Sequence, residues 1–273
     1  MNRLRNVLGI TVILLLLVSW QASFAQTGRD EYITRIENLQ KQLQNLVEEM
    51  TQASEAGNKE AYDAANEEYQ KLKEELEAVR AEYAAKGSME AKGKKAYNDG
   101  LRAYKLRQYD EAIQLFDEAI SILPDFGKAY NMKGLTLYRQ RKYNEAEEAF
   151  KKAVEIDPDD DTVYSNMGLL YRSMDQYDKA LEAFSKAAEL NPNNYRLYYH
   201  IGQTYTSRKD YANAAQAFEK SVELNPSYVR GLIALGVAYH AQGSYSKAVS
   251  SLQQAVAIDE RDGEAYYRLA EAL

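Results

Sequence analysis

Cysteine is absent from the 273-residue chain, so disulfide bonds, thiol catalysis and cysteine-based zinc sites are excluded. Histidine is scarce, with His200 and His240 the two in the chain. They are predicted to lie on neighbouring helices and to be offset by roughly 9 Å along the helix axes. This separation is too large for both to bind one metal ion without other ligands. The acidic run at 157–161 lacks the glycine and the closing glutamate of a calcium loop. The sequence has no glycine-rich phosphate-binding loop after a strand, and no strands are predicted. The sequence therefore predicts no enzyme, no metal site and no cofactor.

Positive charge is also in short supply. The chain has 34 lysines and arginines against 41 aspartates and glutamates, which gives a formal net charge of −7. An acidic chain of this kind is a poor candidate for a protein that binds nucleic acid by bulk attraction. We therefore expect no nucleic-acid partner.

Proline is rare, and its spacing shows that a block of 34 residues is repeated five times over 93–262. All four prolines keep this step, as do four of the six phenylalanines, five glycines and five alanines. These residues are Pro124, Pro158, Pro192 and Pro226; Phe116, Phe150, Phe184 and Phe218; Gly100, Gly134, Gly168, Gly202 and Gly236; and Ala112, Ala146, Ala180, Ala214 and Ala248. The blocks are 93–126, 127–160, 161–194, 195–228 and 229–262. Within a block, glycine is position 8, alanine position 20, phenylalanine position 24 and proline position 32.

This pattern resembles the tetratricopeptide repeat, a helix–turn–helix module of 34 residues. The resemblance implies an all-α fold, in which the repeats form a right-handed superhelical α-solenoid. Physical reasoning agrees with it, because Gly134 and Ala146 are small enough for two helices to cross closely and Phe150 fills the space between them. Pro158 ends the second helix, since proline cannot continue one. Each unit hides its apolar stripe only by stacking on its neighbour, which predicts a solenoid rather than a globule.

The segment 263–273 begins a sixth block and stops after its first helix. We predict that it is a capping helix, because a solenoid needs its last repeat covered to remain in solution. Tyr266, Leu269, Ala270 and Leu273 form a stripe that is predicted to cover the fifth repeat.

Residues 1–25 read as a secretory signal peptide, with Arg3 and Arg5 before a short apolar run and small residues before a cut that leaves Gln26 first. The apolar run is shorter than the roughly 20 residues that span a bilayer. An uncleaved anchor remains the alternative. After cleavage no membrane span is expected, the loss of two arginines takes the formal charge from −7 to −9, and the absence of cysteine excludes a bacterial lipoprotein. The predicted location is the periplasm or the cell exterior.

Apolar residues recur at heptad spacing in two runs within 30–86, on either side of Gly57-Asn58. The heptad phase of the second run is offset by five residues from that of the first, whereas a continuous coiled coil tolerates interruptions of about three or four residues. We therefore predict two helices that fold back on each other as a coiled-coil hairpin. The hairpin could close on itself as a monomer or associate with a second copy through its seam. Gly87-Ser88 then predicts a linker at 87–92 before the first repeat.

In the family that the repeats resemble, positions 2, 5, 6, 9, 12 and 13 of each first helix line the concave face. In this sequence the charged residues at those positions are almost all basic, and they are accompanied by tyrosine, asparagine and histidine, whereas the second helices carry acids. Arginine and tyrosine are the residues best able to anchor a protein partner. The alternative is that these charges only solvate an open surface. The predicted partner-binding groove consists of Tyr97, Asn98, Lys128, Asn131, Tyr138, Arg139, Asn166, Arg172, Arg196, Tyr199, His200, Arg230, His240, Tyr267 and Arg268.

These features predict a non-enzymatic scaffold or adaptor of the bacterial cell envelope, whose concave groove binds an acidic or carboxylate-bearing peptide segment of another protein. The order of signal peptide, coiled coil and repeats resembles, in architecture only, the periplasmic cell-division coordinators associated with the Tol–Pal system. Two alternatives stay open: a structural oligomer driven by self-association through 30–86, and a small-ligand-binding protein.

Overall fold

A computed structural model describes residues 28–273, and the surroundings of side chains from residue 31 onward. The signal peptide predicted at 1–25 lies outside the described residues. Within them the chain forms twelve α-helices and no strand, so the all-α prediction is confirmed. The helices are α1 (Gly28–Glu55), α2 (Lys59–Lys105), α3 (Tyr109–Ile122), α4 (Gly127–Arg139), α5 (Tyr143–Ile156), α6 (Asp161–Ser173), α7 (Tyr177–Leu190), α8 (Tyr195–Ser207), α9 (Tyr211–Leu224), α10 (Val229–Ala241), α11 (Tyr245–Ile258) and α12 (Gly263–Ala272). They divide into two compact units, with the boundary after Ala91.

In the first unit, α1 and the first part of α2 pack against each other along an apolar seam. Leu39 and Leu43 from α1 and Leu76 and Val79 from α2 are each at most 5% exposed. Burial of such side chains stabilises the pair by about 1.5–3 kcal/mol each before the entropy of ordering is subtracted. Within one chain, therefore, the seam already has its apolar partner.

The direction of the two helices follows from their polar contacts. Tyr32, near the start of α1, donates a hydrogen bond of 2.5 Å to Glu82. Arg35, one turn later, pairs with Glu75 at 2.8 Å, seven residues earlier in the partner helix. The helices are therefore antiparallel, and the chain reverses at Gly57, whose φ of +69° is strained for any residue with a side chain.

The linker predicted at 87–92 is wrong: these residues belong to α2, which continues to Lys105. Gly87 keeps a helical backbone, and a side chain added there would meet nothing within 4 Å. A single glycine costs about 1 kcal/mol in a helix interior, which the surrounding alanine, lysine, methionine and glutamate residues can offset. Glycine and serine alone are thus too weak a signal for a break.

In the second unit, each repeat is a pair of helices held together by one close contact. The glycine at position 8 lies so near the residue at position 24 that a methyl group on it would be 2.5–2.8 Å from that side chain. Position 24 is Phe116, Phe150, Phe184 and Phe218 in four repeats and Leu252 in the fifth, and each is at most 2% exposed. Glycine therefore sets the distance between the helices, and the large side chain fills it.

Successive repeats are tied together at the turn between first and second helix. Gln140 donates a hydrogen bond to Asp110 of the preceding repeat at 2.9 Å. Arg208 pairs with Asp178 at 2.6 Å, and Gln242 donates to the backbone oxygen of Tyr211 at 2.5 Å. All three donors occupy position 14, so the same link joins three pairs of neighbours. Together with the buried apolar contacts, it stacks the repeats in register.

The same turn contains a left-handed residue in every repeat. Its φ lies between 58° and 77°, and only one of the five residues is glycine. They are Arg107, Arg141, Asp175, Lys209 and Gly243. Because the position is filled by different residue types, the sequence pattern did not reveal it.

The last helix, α12, covers the fifth repeat with a different face from the one predicted. Ala265 and Ala272 are buried and Leu269 packs beside them, whereas Tyr266 and Leu273 are 49% and 86% exposed. Residues three or four apart lie on the same face of a helix, so 265, 269 and 272 form the buried face and 266, 270 and 273 lie on the adjacent face. The stripe predicted from Tyr266, Ala270 and Leu273 is therefore wrong.

Two glycine-to-alanine substitutions test these contacts. We expect Gly168→Ala to destabilise the second unit by about 1–3 kcal/mol, because its methyl group would overlap the ring of Phe184. Gly87→Ala, which adds a methyl group in open space on a helix, should stabilise the chain by up to about 1 kcal/mol. Urea unfolding followed by circular dichroism measures both changes. Equal effects of the two substitutions would contradict the assigned environments.

Candidate functional site

The first helices of successive repeats lie side by side, and polar contacts join them. Arg139 donates to the hydroxyl oxygen of Tyr104 at 3.2 Å, and Asn166 donates to Asn131 at 2.9 Å. Arg172 donates to Gln203 at 2.7 Å. Each bond joins residues 31–35 apart and therefore spans neighbouring repeats. The side chains at positions 2, 5, 6, 9, 12 and 13 of these helices consequently form one continuous surface, which we call the first-helix surface.

Some of the charges on the second helices are paired within the same helix. Four glutamates on these helices each form an ion pair of 2.5–3.2 Å with a lysine three or four residues away. The pairs are Glu147–Lys151, Lys152–Glu155, Lys186–Glu189 and Lys220–Glu223. Such exposed pairs contribute little stability, at about 0.3–0.5 kcal/mol, but they cancel local charge. The second helices therefore pair part of their charge within the helix, although acids outnumber bases on them.

The first-helix surface differs because most of its arginines lack acidic partners. Arg268 pairs with Glu271 at 2.9 Å, at the end of the array. Among the described residues, no carboxylate lies within ion-pair distance of the four arginines nearer the middle: Arg139, Arg172, Arg196 and Arg230. This surface therefore carries uncompensated positive charge on a chain that is acidic overall.

Tyrosines hold two of these arginines in place. The guanidinium of Arg139 lies 5.9 Å from the ring centre of Tyr138, and that of Arg196 lies 5.5 Å from the ring of Tyr195. Arg196 also donates a hydrogen bond to the hydroxyl of Tyr195 at 3.2 Å. Contacts of this kind are worth about 0.5–1 kcal/mol at exposed sites. They limit the conformations of the arginines without neutralising them.

The middle of the surface is a cluster centred on Gln203. Its side-chain oxygen accepts a hydrogen bond from Arg172 and lies 3.2 Å from His200 Nδ1. Its side-chain nitrogen donates to the hydroxyl of Tyr199 at 3.0 Å. Next to the cluster, the hydroxyl groups of Tyr138 and Ser173 are 2.9 Å apart. The structure thus brings together Arg172, Tyr199 and His200, three of the residues predicted from the sequence.

Burial shifts the proton affinities in this cluster. Desolvation lowers the pKa of Arg172. Desolvation raises the pKa of Tyr199, and the positive charges of Arg230 and Arg172 partly oppose that rise. Desolvation also lowers the pKa of His200, and the positive charges of Arg172 and Arg196 lower it further. His200 is therefore neutral near pH 7 and acts there as a hydrogen-bonding ring stacked on Phe184 at 5.7 Å, not as a cation.

Other predicted site residues have different surroundings. Tyr97 packs against the rings of Phe126 and Phe116 at 4.9 and 5.8 Å, which is a core position. His240 is exposed beside Tyr245 at 5.3 Å. Asn98 and Lys128 are exposed on their helices, and Tyr267 lies under the guanidinium of Arg268 at 5.4 Å. These residues surround the cluster along the array and do not join it.

Sequence reasoning missed Gln203 and two tyrosines. Position 9 is apolar in the other complete repeats, so the glutamine at 203 was a visible exception. Tyr195 and Tyr228 lie outside the positions assigned to the concave face, yet their rings are 4.8 Å apart and Tyr228 is 5.3 Å from Tyr199. Only the structure places these two rings beside Arg196 and Arg230: burial raises the pKa of Tyr228, and the charges of Arg230 and Arg196 partly oppose this shift.

Within the range from Gly28 to Leu273, no three histidine or acidic side chains lie close enough to hold a metal ion. No helix in the same range combines the length and the apolar character that crossing a membrane requires.

Comparison with protein families gives two matches along the repeats. The model of the tetratricopeptide repeat region at the N-terminus of Psidin matches residues 102–229, and a general tetratricopeptide repeat model matches 205–273. The chain is a tetratricopeptide repeat protein. A comparison with curated proteins finds no match.

Solved structures of tetratricopeptide proteins have the same fold. MamA is 25% identical with a TM-score of 0.55, and the match covers 60% of this chain and 96% of MamA. YrrB, described as having an unusual peptide-binding site, is 21% identical with a TM-score of 0.54, covering 65% of this chain and 91% of YrrB. The thermophilic protein TTC0263 of Thermus thermophilus is 21% identical with a TM-score of 0.52, covering 66% and 98% respectively. These tetratricopeptide arrays support the solenoid fold.

Tetratricopeptide repeats are in general non-enzymatic modules for protein–protein interaction, and neither matching model describes an enzyme. The array is therefore a protein-interaction scaffold.

The pKa of His200 tests the geometry of the cluster. We expect Arg172→Gln to raise this pKa, because it removes a positive charge that disfavours protonation of the ring. The chain has only two histidines, so proton NMR of the imidazole signals against pH resolves each one, with His240→Asn to assign them. Arg208→Gln, which removes a charge from the turn, should leave the pKa unchanged. The geometry would be wrong if Arg172→Gln had no effect either.

Proposed function

We propose that the protein is a non-enzymatic adaptor of the bacterial cell envelope, and that its first-helix surface binds an acidic segment of another protein. The observation that carries this proposal is the set of four unpaired arginines among tyrosines, on a chain whose second helices carry more acids than bases. A row of lysines would be enough to keep a surface in water. Arginines held against aromatic rings and left without carboxylates indicate a role in binding.

The chemistry of these side chains defines the partner. Arginine binds carboxylates through two parallel hydrogen bonds, and tyrosine supplies a large contact area with few rotatable bonds. Since Arg139 and Arg196 are already held by neighbouring tyrosines, little side-chain entropy remains to be lost on binding. An extended or helical segment rich in aspartate and glutamate meets these requirements.

The cellular location rests on the sequence of residues 1–25, whose charged start, short apolar run and small residues before Gln26 are typical of an export signal. Export places the adaptor in the periplasm or outside the cell. The hairpin formed by α1 and the start of α2 would set the spacing or the oligomeric state. Because its seam is already filled within one chain, self-association would use other faces of the hairpin.

Capture of partners from an envelope extract tests the binding surface. We expect the triple substitution of Arg172, Arg196 and Arg230 by glutamine to weaken capture at least about tenfold, since about 1.4 kcal/mol of lost contact energy has this effect. Quantitative mass spectrometry of the captured proteins measures the change. The matched control replaces Lys152, Lys186 and Lys220 by glutamine, which removes the same charge from the second helices. Equal capture by both triple variants would refute the proposed surface, provided that circular dichroism shows both to be folded.

A further inference from the structure

Arg172 differs from the other unpaired arginines in its burial. Arg139, Arg196 and Arg230 are exposed, whereas Arg172 is half-buried. Its guanidinium has five N–H donors, and the structure gives it one hydrogen bond, to the neutral oxygen of Gln203. Taking an ion out of water without an opposite charge is unfavourable, and buried charges are usually paired. The protein thus keeps at this point a partly desolvated cation that lacks its counter-charge.

The groups around Arg172 fix its position without supplying a negative charge. Gln203 is held on three sides, by Arg172, Tyr199 and His200. The phenols of Tyr138 and Tyr199 lie close enough to interact electrostatically with the guanidinium, but neither is a carboxylate. The guanidinium is therefore preorganised, and its remaining donors are available to an acceptor that approaches from outside.

We infer that Arg172 is the fixed anchor for a single carboxylate of the bound segment, and that the exposed arginines act mainly by long-range attraction. The inference rests on the proposed function and assigns different tasks to the arginines of that surface. A partly desolvated, prearranged contact strengthens electrostatic interactions, since the local dielectric constant is low. Exposed charges are screened by salt over about 10 Å and chiefly affect the rate of encounter. An aspartate or glutamate side chain and a chain terminus are the two sources of such a carboxylate.

The two roles predict different kinetic effects. Loss of Arg172 should accelerate dissociation, because the contact exists only in the complex. Loss of Arg230 should slow association and reduce its dependence on salt, because that charge acts before contact. Arg172→Lys keeps the charge but loses the planar pair of donors. Its association rate should therefore equal that of the unsubstituted protein, and its dissociation rate should lie between those of the unsubstituted protein and Arg172→Gln.

The experiment uses the purified protein and an array of immobilised 12-residue peptides, each with one glutamate in a neutral background. A matched array carries glutamine in its place, and each peptide is made with a free and an amidated C-terminus. The peptides that the unsubstituted protein prefers are then measured by biolayer interferometry at two salt concentrations. The proteins compared are the unsubstituted chain, Arg172→Gln, Arg172→Lys and Arg230→Gln.

We expect the unsubstituted protein to prefer glutamate over glutamine peptides, or free over amidated termini, which distinguishes the two sources of the carboxylate. Arg172→Gln should abolish this preference and accelerate dissociation by about tenfold, as for a lost charge-assisted contact. Arg230→Gln should keep the preference. If Arg172→Gln kept it as well, the anchor would be refuted while the proposed function stood. If the unsubstituted protein bound neither array, both would be refuted.

Discussion

The contact between a glycine on the first helix and a large apolar side chain on the second governs the repeat array. At Gly168 the ring of Phe184 occupies the space that any other residue would need for its Cβ atom. Because this contact recurs every 34 residues, each first helix has the same position relative to its own second helix, and the links from position 14 join one repeat to the next. Residues at equal positions of successive repeats therefore become neighbours. The first-helix surface is a consequence of this spacing.

The two kinds of helix use their charges differently. Four lysines of the second helices lie within a turn of a glutamate and pair with it, which is the usual arrangement on a solvated helix, whereas Lys179 and Lys247 lie over tyrosine rings. Arg139 and Arg196 of the first helices lie against tyrosines, which stabilise them weakly, and no carboxylate of the described residues compensates their charge. The burial of Arg172 lowers its pKa, and the nearby phenols of Tyr138 and Tyr199 offset this effect only in part. A negatively charged partner would remove it, and this links the local geometry to a binding role.

The repeats could be predicted from the sequence because glycine, alanine, phenylalanine and proline recur in register, and sterics then assign a role to glycine, phenylalanine and proline. The reversal at Gly57 could be predicted as well, from the change of heptad phase. Features that depend on a balance of small energies could not be predicted from the sequence. The continuous helix through Gly87 depends on flanking helix formers that outweigh one glycine.

The candidate site shows a similar division. Counting positions on the first helices identified Arg172, Tyr199 and His200, but it also included Tyr97, which packs into the core. Hydrogen-bond partners and burial follow from side-chain conformations, which a position count does not contain. For this reason the organising role of Gln203 and the distinct environment of Arg172 emerged only from the structure.

Photo-crosslinking in intact cells tests most directly whether the first helices form the binding surface. A photoreactive amino acid replaces Ser207, exposed on the first helix α8, or Ser185, exposed on the second helix α7. The two serines match in residue type and exposure and differ in which kind of helix carries them. The account predicts a defined crosslinked adduct with another protein from position 207 and none from position 185. An adduct from 185 alone would show that partners bind the second helices, and would contradict the account.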